Sequence, residues 1–198
     1  MNKKRNWAFV LYTESAPENW KEILIQSGVE LAISPYHDKD KNPLGDDKKP
    51  HYHIILSYPG PTTFNNVKSL VVDKLGQPIP IYLESVKGYY RYFTHKDNPE
   101  KYQYDDHDIK LFNGFDVSSI LNNTEVFQIT KFVNSFIREN DLVEYSDLVD
   151  ILQDNQFYEE LNVVLTHPSY FKAYLDSRRY KKEKSNAKDT KTILQPTS

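Results

Sequence analysis

The sequence contains no cysteine, and only six glycines among its 198 residues. The first absence removes disulfide scaffolds, thiol nucleophiles and zinc sites built on cysteine, and suits a reducing cytoplasm. No apolar run approaches the roughly 18 residues that span a bilayer. No apolar stretch follows Met1-Asn2-Lys3-Lys4-Arg5 either, so a soluble chain without a signal peptide is expected. There is no G-x-x-x-x-G-K-[ST] run, so an attached P-loop ATPase is not expected. A surplus of positive charge is also missing, since the net charge is −3. That charge is uneven: residues 1–120 carry −1, residues 121–170 carry −7 and residues 171–198 carry +5. The acidic stretch would repel phosphates, so a polyanion partner belongs to the first segment or the tail. What the chain does have is aromatic residues, 14% of the total, with 15 tyrosines. Such content argues for a folded protein.

The pattern changes near residue 120. Before it, β-type runs alternate with polar turns: Trp7–Tyr12, Val29–Ser34, His51–Ser57, Ile79–Glu84 and Ile109–Phe112. Helices are expected from Ser15, with Ser15 as N-cap and Glu18 completing a capping box, over Thr63–Leu75, and over Lys87–His95. Pro59-Gly60-Pro61 should stop the third strand. This β-α-β-β-α-β-α order predicts an α+β fold, an antiparallel sheet flanked by helices. After residue 120, Val126, Ile129, Phe132, Val133, Phe136 and Ile137 recur at helical spacing. Further helices are expected around 145–153, 156–165 and 168–180, making a small all-α domain. The expected divisions are 1–120, 121–182 and a flexible basic tail over 183–198.

The densest chemistry lies in Ser34-Pro35-Tyr36-His37-Asp38-Lys39-Asp40 and in Lys49-Pro50-His51-Tyr52-His53-Ile54-Ile55-Leu56. On a strand, His51 and His53 point to one face and Tyr52 to the other. Two imidazoles on one face can share a divalent metal, with His37, Asp40 or both as further ligands. An isolated His-x-His is more often a polar strand face. Here the apolar run that follows puts the pair at the mouth of a core strand, where unpaired imidazoles are costly. In Lys87-Gly88-Tyr89-Tyr90-Arg91-Tyr92-Phe93-Thr94-His95-Lys96, helical spacing puts Tyr92, His95 and Lys96 on one face. A tyrosine, with a reference pKa of about 10, attacks phosphorus only with a cation or metal nearby. Packing on the sheet is the commoner fate of tyrosine, and periodicity alone does not select Tyr92.

In chain order, Phe9-Val10-Leu11-Tyr12, His51-Tyr52-His53-Ile54-Ile55-Leu56 and Tyr92 resemble the three motifs of the HUH endonucleases. Within them, Leu11–Ser15, Ile33–Asp40, Pro50–His53, Tyr92–His95 and Asp108–Asn113 resemble the RepB-type initiators of rolling-circle plasmids. The resemblance implies a ferredoxin-like HUH catalytic domain and a bacterial cytoplasmic location. It implies a metal-dependent nickase and strand transferase acting at a plasmid double-strand origin. His37, Asp40, His51 and His53 would hold a divalent metal, Mn²⁺ first, with Mg²⁺, Co²⁺ or Zn²⁺ as alternatives. Tyr92 would attack the scissile phosphate, leaving a 5′-phosphotyrosine and a free 3′-OH primer. Tyr89 would be a reserve nucleophile. Many relatives carry a lysine three residues after the tyrosine, where this chain has His95. The partners implied are origin DNA, both duplex and single-stranded at the nick, a host helicase and polymerase, and further copies of the chain through the C-terminal helices. No membrane partner is expected.

Lys48, Lys49, Lys68, Lys74, Arg91 and Lys96 are candidate DNA contacts, together with Lys3, Lys4 and Arg5 and the basic residues from Arg178 to Lys184. Each could equally be a solvated charge. Three other readings compete: a relaxase- or transposase-like HUH enzyme, a non-catalytic DNA-binding copy-control regulator, and a metal hydrolase of small phosphoesters.

Overall fold

Strand β3 (Tyr52–Thr62) is the axis of the first half of the molecule. It pairs antiparallel with β1 (Lys4–Leu11) on one side and with β2 (Glu30–Ile33) on the other. The outer strands are β4 (Ile81–Tyr82), on β1, and β5 (Lys110–Phe112), on β2, giving the order β4-β1-β3-β2-β5 with every pairing antiparallel. The computed structural model describes residues 3–117 and 120–193. The chain falls into two compact units, Met1–Ile120 and Leu121–Ser198.

Alternation along the central strands separates the two faces of the sheet. Trp7, Phe9 and Leu11 of β1, Leu31 and Ile33 of β2, and Ile54, Leu56 and Tyr58 of β3 enter one apolar cluster. Leu24 of α1 (Trp20–Gln26) and Val67 of α2 (Phe64–Lys68) join it. So do Leu70 and Val71 of the π-helical segment Ser69–Lys74 that continues α2. His53 has the opposite parity and faces α3 (Val86–Tyr92), whose Tyr89 and Tyr92 rings lie 5.7 and 5.2 Å from its imidazole.

Four boundaries differ from expectation, each for a local reason. Ser15 does not cap α1. Its hydroxyl donates to the Tyr12 carbonyl, closing a turn with the Ser15 and Ala16 amides, and the helix starts only at Trp20. Strand β3 runs through Pro59-Gly60-Pro61 to Thr62. The pairing jumps from Asn6↔Ser57 to Lys4↔Thr62, and the prolines sit in that irregularity, where no ladder donor is needed. Strand β4 shrinks to two residues because Pro78 and Pro80 precede it and neither supplies an N–H. Helix α3 is capped by the Ser85 hydroxyl, which accepts from the Gly88 amide at 3.0 Å, and stops at Tyr92, three residues short of His95.

The second unit contains α4 (Asn123–Glu139), α5 (Tyr145–Asp154), α6 (Tyr158–Thr166) and α7 (Pro168–Ile193). Asn122 and Glu125 form a reciprocal capping box at the start of α4. Val133, Ile137, Leu148, Leu152, Val163, Val164, Phe171 and Leu175 make its core. Phe132, on the predicted apolar stripe, is exposed, as is Phe127. Helix α7 passes the expected end at residue 180 and continues to Ile193; residues 194–198 of the expected tail lie outside the described residues. Among the described residues, no helix is long and apolar enough to cross a membrane.

Candidate active site

Beyond β2, the chain keeps pairing with the start of β3. The Ser34 amide donates to the His53 carbonyl at 2.9 Å, and His37 and His51 exchange backbone hydrogen bonds. This extension brings His37 beside the His-x-His pair. Ser34 adds a second tie, its hydroxyl accepting from the His53 amide at 2.9 Å. Asp40 is set by the turn that follows it. The Lys48 amide donates to the Asp40 carbonyl, and the Asn42 side chain accepts from the Leu44 and Asp46 amides. Gly45 supplies the left-handed residue of that turn, at φ +92°.

His37, Asp40, His51 and His53 thus converge, all four buried, with one ligand atom from each lying within 4.8 Å of the others. Backbone carbonyls, which only accept, decide where the ring protons sit. Nε2 of His37 donates to the Phe93 carbonyl at 2.7 Å, so Nδ1 presents its lone pair toward Asp40 Oδ2 at 3.4 Å. Nδ1 of His51 donates to the Lys49 carbonyl at 2.8 Å, leaving Nε2 as an acceptor 3.2 Å from His53 Nε2 and 3.9 Å from Asp40 Oδ2. His53 Nδ1 meets the Tyr89 hydroxyl at 3.0 Å. Lone pairs crowded around a carboxylate in this way fit a divalent cation, and the nitrogen and oxygen donors suit Mn²⁺, Co²⁺ or Zn²⁺. Tyr104 holds two members of the set in place. The Tyr104 ring stacks on His37 at 4.2 Å, and its hydroxyl donates to Asp40 Oδ1 at 3.2 Å.

The electrostatics favour the neutral form of two of these imidazoles, His37 and His53. Burial, aided by His37, His51, His95 and Lys48, pulls His53 down to about 2. Burial also lowers His37, against the opposing hydrogen bond to Phe93 and the charge of Asp40. For Asp40, burial pushes upward, but His37, His95 and the Tyr104 hydrogen bond outweigh it and hold the carboxyl below its ordinary value.

Tyr92 lies at the edge of the cluster, half-buried, its ring 5.2 Å from His53 and 4.9 Å from His95. Lys101 donates to its hydroxyl at 3.1 Å and sits 4.5 Å from the ring centroid. Tyr89 is differently placed: its hydroxyl is engaged with His53, and burial, then Tyr92, push its ionisation well above the ordinary phenol range. His95 does not share a helical face with Tyr92 and Lys96. It follows the helix in the left-handed conformation, φ +59°, buried among the histidines, while Lys96 is exposed.

The expected DNA contacts divide by environment. Lys48 lines an open cleft of about 730 Å³ with Lys39, Lys41, Lys101, Asp40 and Tyr102. Arg91 forms a two-pronged pair with Asp97, Lys68 pairs with Asp73, and Lys49 pairs with Glu14. Arg5 donates to the Tyr58 carbonyl, Lys4 sits over the Tyr82 ring, and Lys74 is exposed. In the second unit, Arg178 and Lys182 pair with Asp141, and Arg179 with Glu144. Sequence reasoning missed Tyr104, Lys101 and the Phe93 carbonyl. No spacing rule links them to the motifs, and only the loop after α3 carries Lys101 and Tyr104 back to the cluster.

Comparison with known proteins identifies the setting of this site. The family described as plasmid replication protein, origin binding domain, matches residues 1–118. The chain is 39% identical over 183 residues to replication protein RepB of Lactiplantibacillus plantarum, covering 90% of this chain and 83% of that one. It is 35% identical over 190 residues to a replication protein of Staphylococcus aureus, covering 92% and 95%. It is also 35% identical over 167 residues to RepB of Streptococcus agalactiae, covering 77% and 78%. The chain therefore belongs to the plasmid replication proteins that carry this origin-binding domain, and is a RepB-type plasmid replication initiator.

Proposed function

We propose that this initiator nicks one strand of its plasmid origin through Tyr92, in a divalent-metal site formed by His37, Asp40, His51 and His53, and later rejoins strands. The observation that carries the reading is the placement of Tyr92. It is the half-buried phenol at the rim of the histidine cluster, with an ammonium group on its oxygen. When bound, the metal supplies Lewis-acid polarisation of the scissile phosphate. The protein's own groups do the rest. The Tyr92 oxygen forms the bond to phosphorus, and the O3′ bond breaks with its electron pair on O3′, which takes a proton from solvent. The phenol proton passes to solvent, and Lys101 stabilises the charge that develops on the phenol oxygen. The phosphodiester energy is kept in the tyrosyl linkage, so a second transfer can join strands without a nucleotide cofactor.

The lysine-lined cleft beside Lys101 and Asp40 suits the backbone of the strand being cut. Origin recognition and nicking belong to residues 1–120, and homo-oligomerisation to the helices that follow. Unwinding and synthesis fall to a host helicase and polymerase.

The test is a denaturing gel after incubation of the full chain with its parental supercoiled plasmid, with Mn²⁺ or with chelator. A metal-dependent covalent adduct that both Tyr92→Phe and His53→Ala abolish is expected. An adduct that survives Tyr92→Phe moves the nucleophile to Tyr89 or Tyr90. No adduct on the parental plasmid favours a DNA-binding regulator without catalysis.

A further inference from the structure

We infer that His95 is a fifth protein ligand of the metal, completing the set of His37, Asp40, His51 and His53; this rests on the metal reading above. After α3, the His95 amide donates to the Tyr92 carbonyl and the Lys96 amide to the Arg91 carbonyl. These are the two bonds of a Schellman turn, whose left-handed position normally goes to glycine. Here it is held by a histidine at φ +59°. A side chain in that conformation is strained relative to glycine. The effect is to direct an imidazole into the cluster, where it is fully buried.

The ring is then locked. Nδ1 of His95 donates to the Tyr102 carbonyl at 2.7 Å, so the lone pair is on Nε2. That nitrogen is buried and, among the described residues, has no hydrogen-bond partner. Its charged neighbour is Asp40 Oδ2 at 3.9 Å, another acceptor. Leaving a buried acceptor unsatisfied is destabilising, because it has lost its water and gained no partner. Backbone strain and an orphaned lone pair at one residue have a common resolution if Nε2 binds a cation.

Donor separations are 3.4 Å for His37 to Asp40, 3.2 Å for His51 to His53, and 3.9 Å from Asp40 to each of His51 and His95. His37, Asp40, His51 and His53 each have a ligand atom within 4.8 Å of all the others, and His95 joins the set through Asp40. Six donors at about 2.1 Å from one ion stand about 3.0 Å from their neighbours and about 4.2 Å from the donor opposite. Five protein donors would still leave room for a phosphate oxygen on a six-coordinate cation. The His95 ring also touches Tyr92, with centroids 4.9 Å apart, so ligation would hold the edge of the nucleophile's pocket in place.

The test uses the full chain and Mn²⁺. Pulsed EPR of the Mn²⁺-loaded protein should count four coordinated imidazoles, and His95→Asn should leave three. Asparagine tolerates the left-handed backbone, so this variant keeps the turn. Calorimetric titration should show its Mn²⁺ Kd raised about 10- to 100-fold. Three imidazoles in the unaltered protein, with an unchanged Kd in a folded His95→Asn variant, would overturn the inference; Nε2 would then carry a proton and pair with Asp40. His51→Ala separates the two levels. If it loses Mn²⁺ while His95→Asn does not, the metal site stands and the fifth ligand falls. If the unaltered protein binds no Mn²⁺, both fall.

Discussion

Tyr89 and Tyr92 lie three residues apart and touch the same imidazole, yet the structure equips them differently. The Tyr89 hydroxyl is engaged with His53 Nδ1, and burial holds Tyr89 in the phenol form. It orients a candidate ligand and makes a poor nucleophile. Tyr89→Phe should therefore retain adduct formation while weakening Mn²⁺ binding about 10-fold, the usual effect of losing a partner of a ligating histidine; calorimetry beside the adduct assay reads both. Tyr92 has an ammonium at its oxygen instead. Lys101→Met should lower the maximal rate of adduct formation about 100-fold, with little change in KM, because the charge it faces arises in the transition state. Lys101→Arg should recover much of that loss. A rise in KM alone would assign Lys101 to ground-state DNA binding. None of this was legible from residue spacing. Lys101 is nine positions from Tyr92 and on no shared helical face, since the helix has already ended.

At the scale of elements, the readable features were those governed by nearest-neighbour physics. The alternation in Tyr52-His53-Ile54-Ile55-Leu56 predicted which side chains share a face, and the structure agrees, with His53 opposite to Ile54 and Leu56. The helical stripe from Val126 to Ile137 became α4, bounded by a capping box. Ser15 failed as a cap because its hydroxyl had a closer use, at the Tyr12 carbonyl. Strand β3 outruns its expected end because its prolines fall where the ladder is irregular and no N–H is needed. Caps offer a quantitative check. Ser85→Ala and Asn122→Ala each remove a side-chain acceptor from a helix start. Each should cost about 1 kcal/mol in chemical denaturation. Ser85→Ala should also slow adduct formation, since α3 carries Tyr92; Asn122→Ala should not. Equal effects on activity would mean that α3 does not position the nucleophile.

For the whole molecule, pH couples the site to the fold. His37 and His53 are buried and held below their ordinary value of 6.5. Below about pH 6.5 the unfolded chain binds protons that the native histidines refuse. Stability is therefore lost as pH falls through that value, by up to about 1.4 kcal/mol per pH unit for each histidine. Asp40 acts in the same direction but lower, because its depressed carboxyl favours the native state only above its ordinary 3.8. The melting temperature of metal-free protein should be flat above pH 7.5 and fall between pH 6.5 and 5. His53→Asn should flatten that fall, and a level profile in the unaltered protein would contradict the burial argument. In the helical unit, Phe127 and Leu165 are exposed, 64% and 53% of their surface being accessible. If these helices assemble copies of the chain, Phe127→Asp with Leu165→Asp should reduce the mass seen by light scattering to that of one chain. An unchanged mass would remove this surface from the assembly.

The sequence by itself determined the α+β order, the helical second half, the shared face of His51 and His53, and His37 and Asp40 as candidate ligands, while Tyr92 came from the resemblance to the HUH motifs. Each depends on a period of two or 3.6, or on motifs in which the chemistry is written in order along the chain. Tertiary structure alone decided that Tyr104 stacks on His37, that Lys101 reaches Tyr92, and that His95 turns its ring inward at a left-handed residue. These depend on where the loop after α3 comes back to the sheet. That path is set by the packing of the whole unit, which no local pattern encodes.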